Sequence, residues 1–180
     1  AQAAQVLADT DPARADDYRR SGLKAWQWAI NHMDEDLANV PAKKHKQIKR
    51  EFNAAKLLAA AELFTLTHEP AYHNAYRRWL TEIEAGGDDP RAIQSALFVY
   101  ARLPEGVGDP ALKNAAVRQI VQLADGAIAF GDGNAFGIST DSPFLPVMGY
   151  VGYFSTPATG SPSLLYAHAL TQDDRYLAAA

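Results

Sequence analysis

The chain has 180 residues, 48% of them hydrophobic and 21% charged, enough for one ordinary domain to bury a sizeable core. Its net charge of −4 and pI near 5.7 give no overall basic face of the kind a nucleic-acid partner requires. Cysteine is absent, which excludes disulfides, thiolate metal sites and a cysteine nucleophile, and no apolar run reaches the length of a membrane span.

The chain opens in an Ala-rich run and closes on Leu177-Ala178-Ala179-Ala180 with no helix stop signal; both ends read as cuts through a longer chain. No basic region precedes an apolar stretch at the start, so no signal peptide reads from it. Four turns share one chemistry: Asp11-Pro12, Glu69-Pro70, Asp109-Pro110 and Asp173-Asp174. An acidic residue ahead of Pro marks a helix start, because the carboxylate caps free N–H groups and Pro suits the first helical position. Leu66-Thr67 and Leu170-Thr171 precede two of the turns in the same register.

The helix after the first turn carries Tyr18, Gly22, Trp26, Ala29 and Met33 as an apolar stripe. Lys43, Lys44, Lys46, Lys49 and Arg50 follow and read as a solvated linker. Residues 52–66 are apolar nearly all round, which marks a buried helix. After the second turn, Tyr72, Tyr76, Trp79, Leu80 and Ile83 form a stripe opposite Arg77, Arg78 and Glu82, as on a surface helix. Residues 93–103 are again apolar. Leu112, Ala116, Ile120, Leu123 and Ala127 give a third stripe, and 164–170 a third apolar helix. Turn spacings are unequal, which argues against a fixed-period solenoid. The order of buried helix, turn, surface helix and longer connection predicts an all-α fold, two concentric layers of helices in an (α/α)6 toroid, present as an incomplete set of hairpins over 1–180. Residues 131–160 have room for a short β-hairpin at most.

Connections at about 34–50, 85–90 and 131–160 would all fall on one face of such a toroid, where sites are usually built. The longest holds Phe136, Phe144, Tyr150, Tyr153 and Phe154 with Asp132, Asn134 and Asp141. Rings stack on the apolar faces of sugars and polar groups satisfy the hydroxyls; packing of the same rings onto the scaffold is the competing reading.

The run Leu58-Ala59-Ala60-Ala61-Glu62-Leu63-Phe64 with Thr67-His68-Glu69-Pro70-Ala71-Tyr72 resembles the WAAAELYRATGDxxY segment of glycoside hydrolase family 9. Leu164-Leu165-Tyr166-Ala167-His168-Ala169-Leu170-Thr171 with Asp173-Asp174-Arg175-Tyr176-Leu177 is similar to its LLLAYELTGDxxYL helix. Asp9-Thr10-Asp11-Pro12-Ala13 followed by Ala25-Trp26-Gln27-Trp28 is similar to its DxDPAxA…AWxW segment. The resemblance covers the chain in the right order. It implies an (α/α)6 barrel of cellulase or endoglucanase type that cleaves β-1,4-glycosidic bonds with inversion, one Asp activating water and a distant Glu protonating the leaving oxygen. In the family these carboxylates lie before and after the segments matched here, so no catalytic residue is assigned in this chain; the rest of its own catalytic domain is the expected partner, beside an oligo- or polysaccharide. No cofactor and no metal are expected, and neither a nucleic-acid nor a membrane partner. The family's substrate-stacking Trp corresponds roughly to 150–160, where no Trp stands; Tyr150, Tyr153 and Phe154 are the candidate substrate-binding rings. That departure keeps an exo-acting β-glucosaminidase of the same family open, and a polysaccharide lyase or a non-enzymatic toroid scaffold beside it. A secreted or periplasmic setting is slightly favoured.

Other residues carry blander readings. Glu62 on an Ala-rich buried helix reads as structural, since buried carboxylates are rare unless paired. His168 reads as a satisfied core histidine. Asp132, Asn134 and Asp141 lack a calcium-loop spacing and read as turn formers. His32, His45, His68 and His73 show no paired zinc spacing. Trp26 and Trp28, two apart on a helix, cannot both face the core, and Trp28 is expected at a boundary between layers.

Overall fold

The structure is a computed structural model, and it describes residues 1–133, 137, 139 and 162–180. The described residues are helical, with no strand among them. They fall into two compact units, 1–108 and 109–180.

The first unit holds α1 (Gln2–Leu7), α2 (Pro12–Ala38), α3 (His45–Thr67), α4 (Pro70–Ala85) and α5 (Gln94–Ala101), with short 3-10 turns at Ala42–Lys44 and Pro90–Ile93. Helix α3 is its hub, and α1, α2, α4 and α5 all pack on it. Leu57, Ala60, Ala61, Leu63 and Phe64 of α3 are buried; the small Ala residues let the neighbouring backbones approach closely, and the larger side chains fill the space between. Helix α4 buries Tyr72, Tyr76, Trp79, Leu80 and Ile83, the stripe read from the sequence, with Arg77, Arg78 and Glu82 exposed. Burial of such side chains is worth about 1.5–3 kcal/mol each. Every residue of α5 is buried or half-buried, as its unbroken apolar run requires.

Helix α2 departs from the expected stripe. Ala15 and Trp26 are buried, whereas Tyr18 is 41% exposed. At about 100° per residue, Ala15 lies roughly 20° from Trp26 around the helix and Tyr18 roughly 80° away; steps of four residues drift off the face over two turns. Trp26 meets Tyr72 and Trp79 edge-on at ring separations of 5.5 and 5.4 Å, a favoured aromatic geometry that ties α2 to α4. Trp28, two residues on, lies about 160° around the helix from Trp26. It is 57% exposed and stacks on His32, ring centres 4.9 Å apart.

The basic run is not a linker. The connection after α2 is short, and Lys46, Lys49 and Arg50 ride on the first turns of α3, since Lys and Arg are good helix formers. Arg50 pairs with Asp88 in the turn after α4.

The second unit holds α6 (Pro110–Asp132), α7 (Pro162–Thr171) and α8 (Asp174–Ala179). Helix α6 buries Ala116, Ile120, Ala124 and Ala127, which receive α7; Leu112 and Leu123 of the expected stripe are half-buried. Helix α7 buries Ser163, Leu164 and Ala167, but Leu165 is 52% exposed, so within its unit α7 is covered on one side only.

The helix starts follow the expected chemistry with one exception. Asp11, Asp109 and Asp173 accept hydrogen bonds from the backbone N–H of Arg14, Ala111 and Arg175. The Glu69 side chain makes no such bond, being one methylene longer than the Asp that cap best.

Candidate functional site

The turn between α3 and α4 and the turn between α7 and α8 are built alike. Thr67 and Thr171 each donate their hydroxyl to the carbonyl four residues back, Leu63 at 2.8 Å and Ala167 at 2.7 Å. The same hydroxyls accept the N–H of Glu69 and Asp173, at 3.2 and 3.3 Å. Between them stand His68 and Gln172, left-handed at φ 58° and 59°. Their N–H groups bond Phe64 and His168 carbonyls at 2.8 Å, which closes each helix in the αL manner. Six residues after the Leu that opens the shared Leu-Thr pair comes a buried Tyr in both, Tyr72 and Tyr176. Tyr176 donates to Asp125 of α6 at 2.9 Å, and Arg175 bonds Asp125 and Asp173, so this turn is tied to α6.

The candidate rings Tyr150, Tyr153 and Phe154 lie outside the described residues, with Phe136, Phe144, Asn134 and Asp141. Asp132 is described and exposed at the end of α6. It lines a cavity of about 510 Å³ with Ile128, Ser139 and Arg175, at the base of the connection expected to carry the site.

Two further cavities flank α3 in the first unit. One, of about 550 Å³, is lined by Lys43, Lys46, Gln47, Arg50 and Glu51, but Arg50 is held by Asp88 and Gln47 by Glu51. The other, of about 490 Å³, lies between α2, α3 and α4; Lys49, Phe52, Asn53, Arg78, Trp79 and Glu82 line it. The Arg78 guanidinium sits 4.8 Å from the centre of the Trp79 ring, and the Lys56 ammonium 5.8 Å from it. Little in the sequence marks this cavity. Its one signal was Asn53, a polar residue on an apolar stretch.

Glu62 is half-buried and accepts a hydrogen bond from Gln2 of α1 at 2.6 Å, a tie between helices. His168 sits with Nδ1 3.3 Å from the Asp173 carbonyl. His73 Nδ1 is 3.0 Å from the Tyr100 hydroxyl. Tyr76 is fully buried, and its ring stacks on Tyr100 at 4.2 Å. Its hydroxyl has no partner among the described residues. Burial, with Tyr100 and Glu84 nearby, pushes its phenol far above the usual value. The Arg91 side chain bonds Asp89 and holds its carboxyl below the usual range, against a smaller effect of burial. Among the described residues no group of three His, Asp or Glu is placed to hold a metal, and no helix is long and apolar enough to cross a membrane. No protein-family model, no curated protein and no solved structure matches the chain.

Proposed function

We propose that the chain is part of an (α/α)6 toroid in an inverting glycoside hydrolase of the family 9 type, acting on β-1,4-linked glucan or related oligosaccharides. The observation that carries this reading is the duplicated turn at His68 and Gln172, which joins an apolar helix to a helix anchored by a buried Tyr in both units. Repetition of one turn between an apolar helix and the helix that follows is compatible with a fold built from repeated helical hairpins. Inversion needs two carboxylates about 6.5–9.5 Å apart with a water between them. Among the described residues, Glu51, Glu82 and Asp132 are each the lone carboxylate of their cavity; in this reading the chain frames the substrate and the reacting pair comes from other segments of the catalytic domain. Tyr150, Tyr153 and Phe154 are the rings on which the sugar would stack.

The test is hydrolysis by the whole catalytic domain of soluble cellulose derivatives, cello-oligosaccharides and chitosan oligosaccharides, with the product anomer read by NMR. Release of the α-anomer from a β-1,4 substrate supports the reading, and the substrate preference separates glucan from glucosamine units. No cleavage, or an unsaturated product absorbing in the ultraviolet, overturns it in favour of a scaffold or a lyase.

A further inference from the structure

The cavity between α2, α3 and α4 is open, polar on one wall and apolar on another, and none of the roles above uses it. Its distinguishing residue is Asn53. This side chain is 9% exposed, makes no hydrogen bond among the described residues, and has no amide atom sealed away from the surface; its open side is the cavity it lines. A nearly buried amide that reaches no partner in the fold can make its hydrogen bonds only through the cavity it faces, and a ligand there would take them up. Lys49, Arg78 and Glu82 line the same cavity, with Phe52 as an apolar wall. No ion pair engages Lys49 or Arg78 among the described residues.

These groups set the ligand's chemistry. Lys49 and Arg78 can only donate and favour an anionic acceptor. Glu82 can only accept, so the ligand must also carry O–H donors. Asn53 does both. A volume of about 490 Å³ falls in the range of small-molecule sites. We propose that this cavity binds an anionic sugar, a polyol bearing one carboxylate or phosphate, with the anion on Lys49 and Arg78 and the hydroxyls on Asn53 and Glu82. The site stands apart from the catalytic reading and does not depend on it.

The experiment is a titration of the 180-residue chain with glucuronate, glucose 6-phosphate, glucose and acetate, followed by amide and indole NMR shifts. Glucuronate or glucose 6-phosphate should shift Lys49, Asn53 and the Trp79 indole with Kd on the order of 1 mM, as suits a small polar ligand. Glucose and acetate, each lacking half of the chemistry, should bind about tenfold more weakly or worse. Whichever anionic sugar binds more tightly identifies the anion as carboxylate or phosphate. Lys49→Ala, at an exposed position, and Asn53→Ala should each weaken binding about tenfold with an unchanged far-ultraviolet CD spectrum. Absence of shifts with both anionic sugars, equal binding of acetate or glucose, or affinity unchanged in a folded Lys49→Ala variant would overturn the proposal.

Discussion

Replacing Tyr76 with Phe removes one oxygen from a fully enclosed site and leaves the ring in place. That hydroxyl has no partner among the described residues, so the folded state carries the cost of a polar group taken from water unpaired, about 1–3 kcal/mol. Phe keeps the 4.2 Å stack on Tyr100 and leaves a void of only one atom, which returns part of that gain. The expected net effect is a stabilisation of about 1 kcal/mol, or a rise in Tm of about 2–4 °C for a chain of this size. The same chemical change one ring away has the opposite sign. The Tyr100 hydroxyl is bonded to His73 at 3.0 Å, so Tyr100→Phe loses a hydrogen bond and should cost about 1 kcal/mol. Urea unfolding of both variants, followed by CD, measures the pair. A Tyr76→Phe midpoint that falls as far as that of Tyr100→Phe would refute the reasoning, because it would mean that the Tyr76 hydroxyl is paired.

Other outcomes follow from the caps, the turns and the phenols. Asp173→Ala removes a carboxylate that bonds the Arg175 N–H and should lower stability by about 1 kcal/mol, whereas Glu69→Ala, with no cap bond to lose, should leave the urea midpoint nearly unchanged. Gln172→Gly relieves a left-handed backbone at φ 59° and should raise stability by about 0.5–1 kcal/mol, read as a higher urea midpoint, after the added freedom of the unfolded chain is deducted. Burial raises the phenol pKa of Tyr72, Tyr76 and Tyr176 above 10.0, with the Asp125 carboxylate adding to the effect at Tyr176. A raised pKa favours the folded state fully below the unfolded value, and the benefit drains away as pH climbs through the folded one. Thermal scans should therefore show Tm falling above about pH 10, and Tyr76→Phe should flatten that fall; equal slopes in both proteins would count against it.

The α4 stripe was legible because five large side chains recur on one face of a helix of only 16 residues, too short for the rhythm to drift off that face. Helix α2 was less so: its 27 residues let a four-residue rhythm drift off the face, and Tyr18 went with it. The acidic turns were readable down to the capping carboxylate, except at Glu69, where an added methylene changes what the side chain reaches. The basic run misled because charge density reports solvation and says little about backbone conformation; those residues are exposed, and they are helical. Asn53 was not legible as a site residue, since its meaning depends on Arg78 and Glu82 of α4 arriving beside it and beside Lys49, one turn earlier on its own helix. Tyr150, Tyr153 and Phe154 rest on the family resemblance and the composition of their connection.

The duplicated turn also bears on how the chain folds. Each turn completes its hydrogen bonds within a few residues of its left-handed centre, and the helices it joins pack on one another. Closing such a short loop costs little chain entropy, and a topology dominated by sequence-local contacts folds fast. Each hairpin can therefore form early, during synthesis, before more distant segments have left the ribosome.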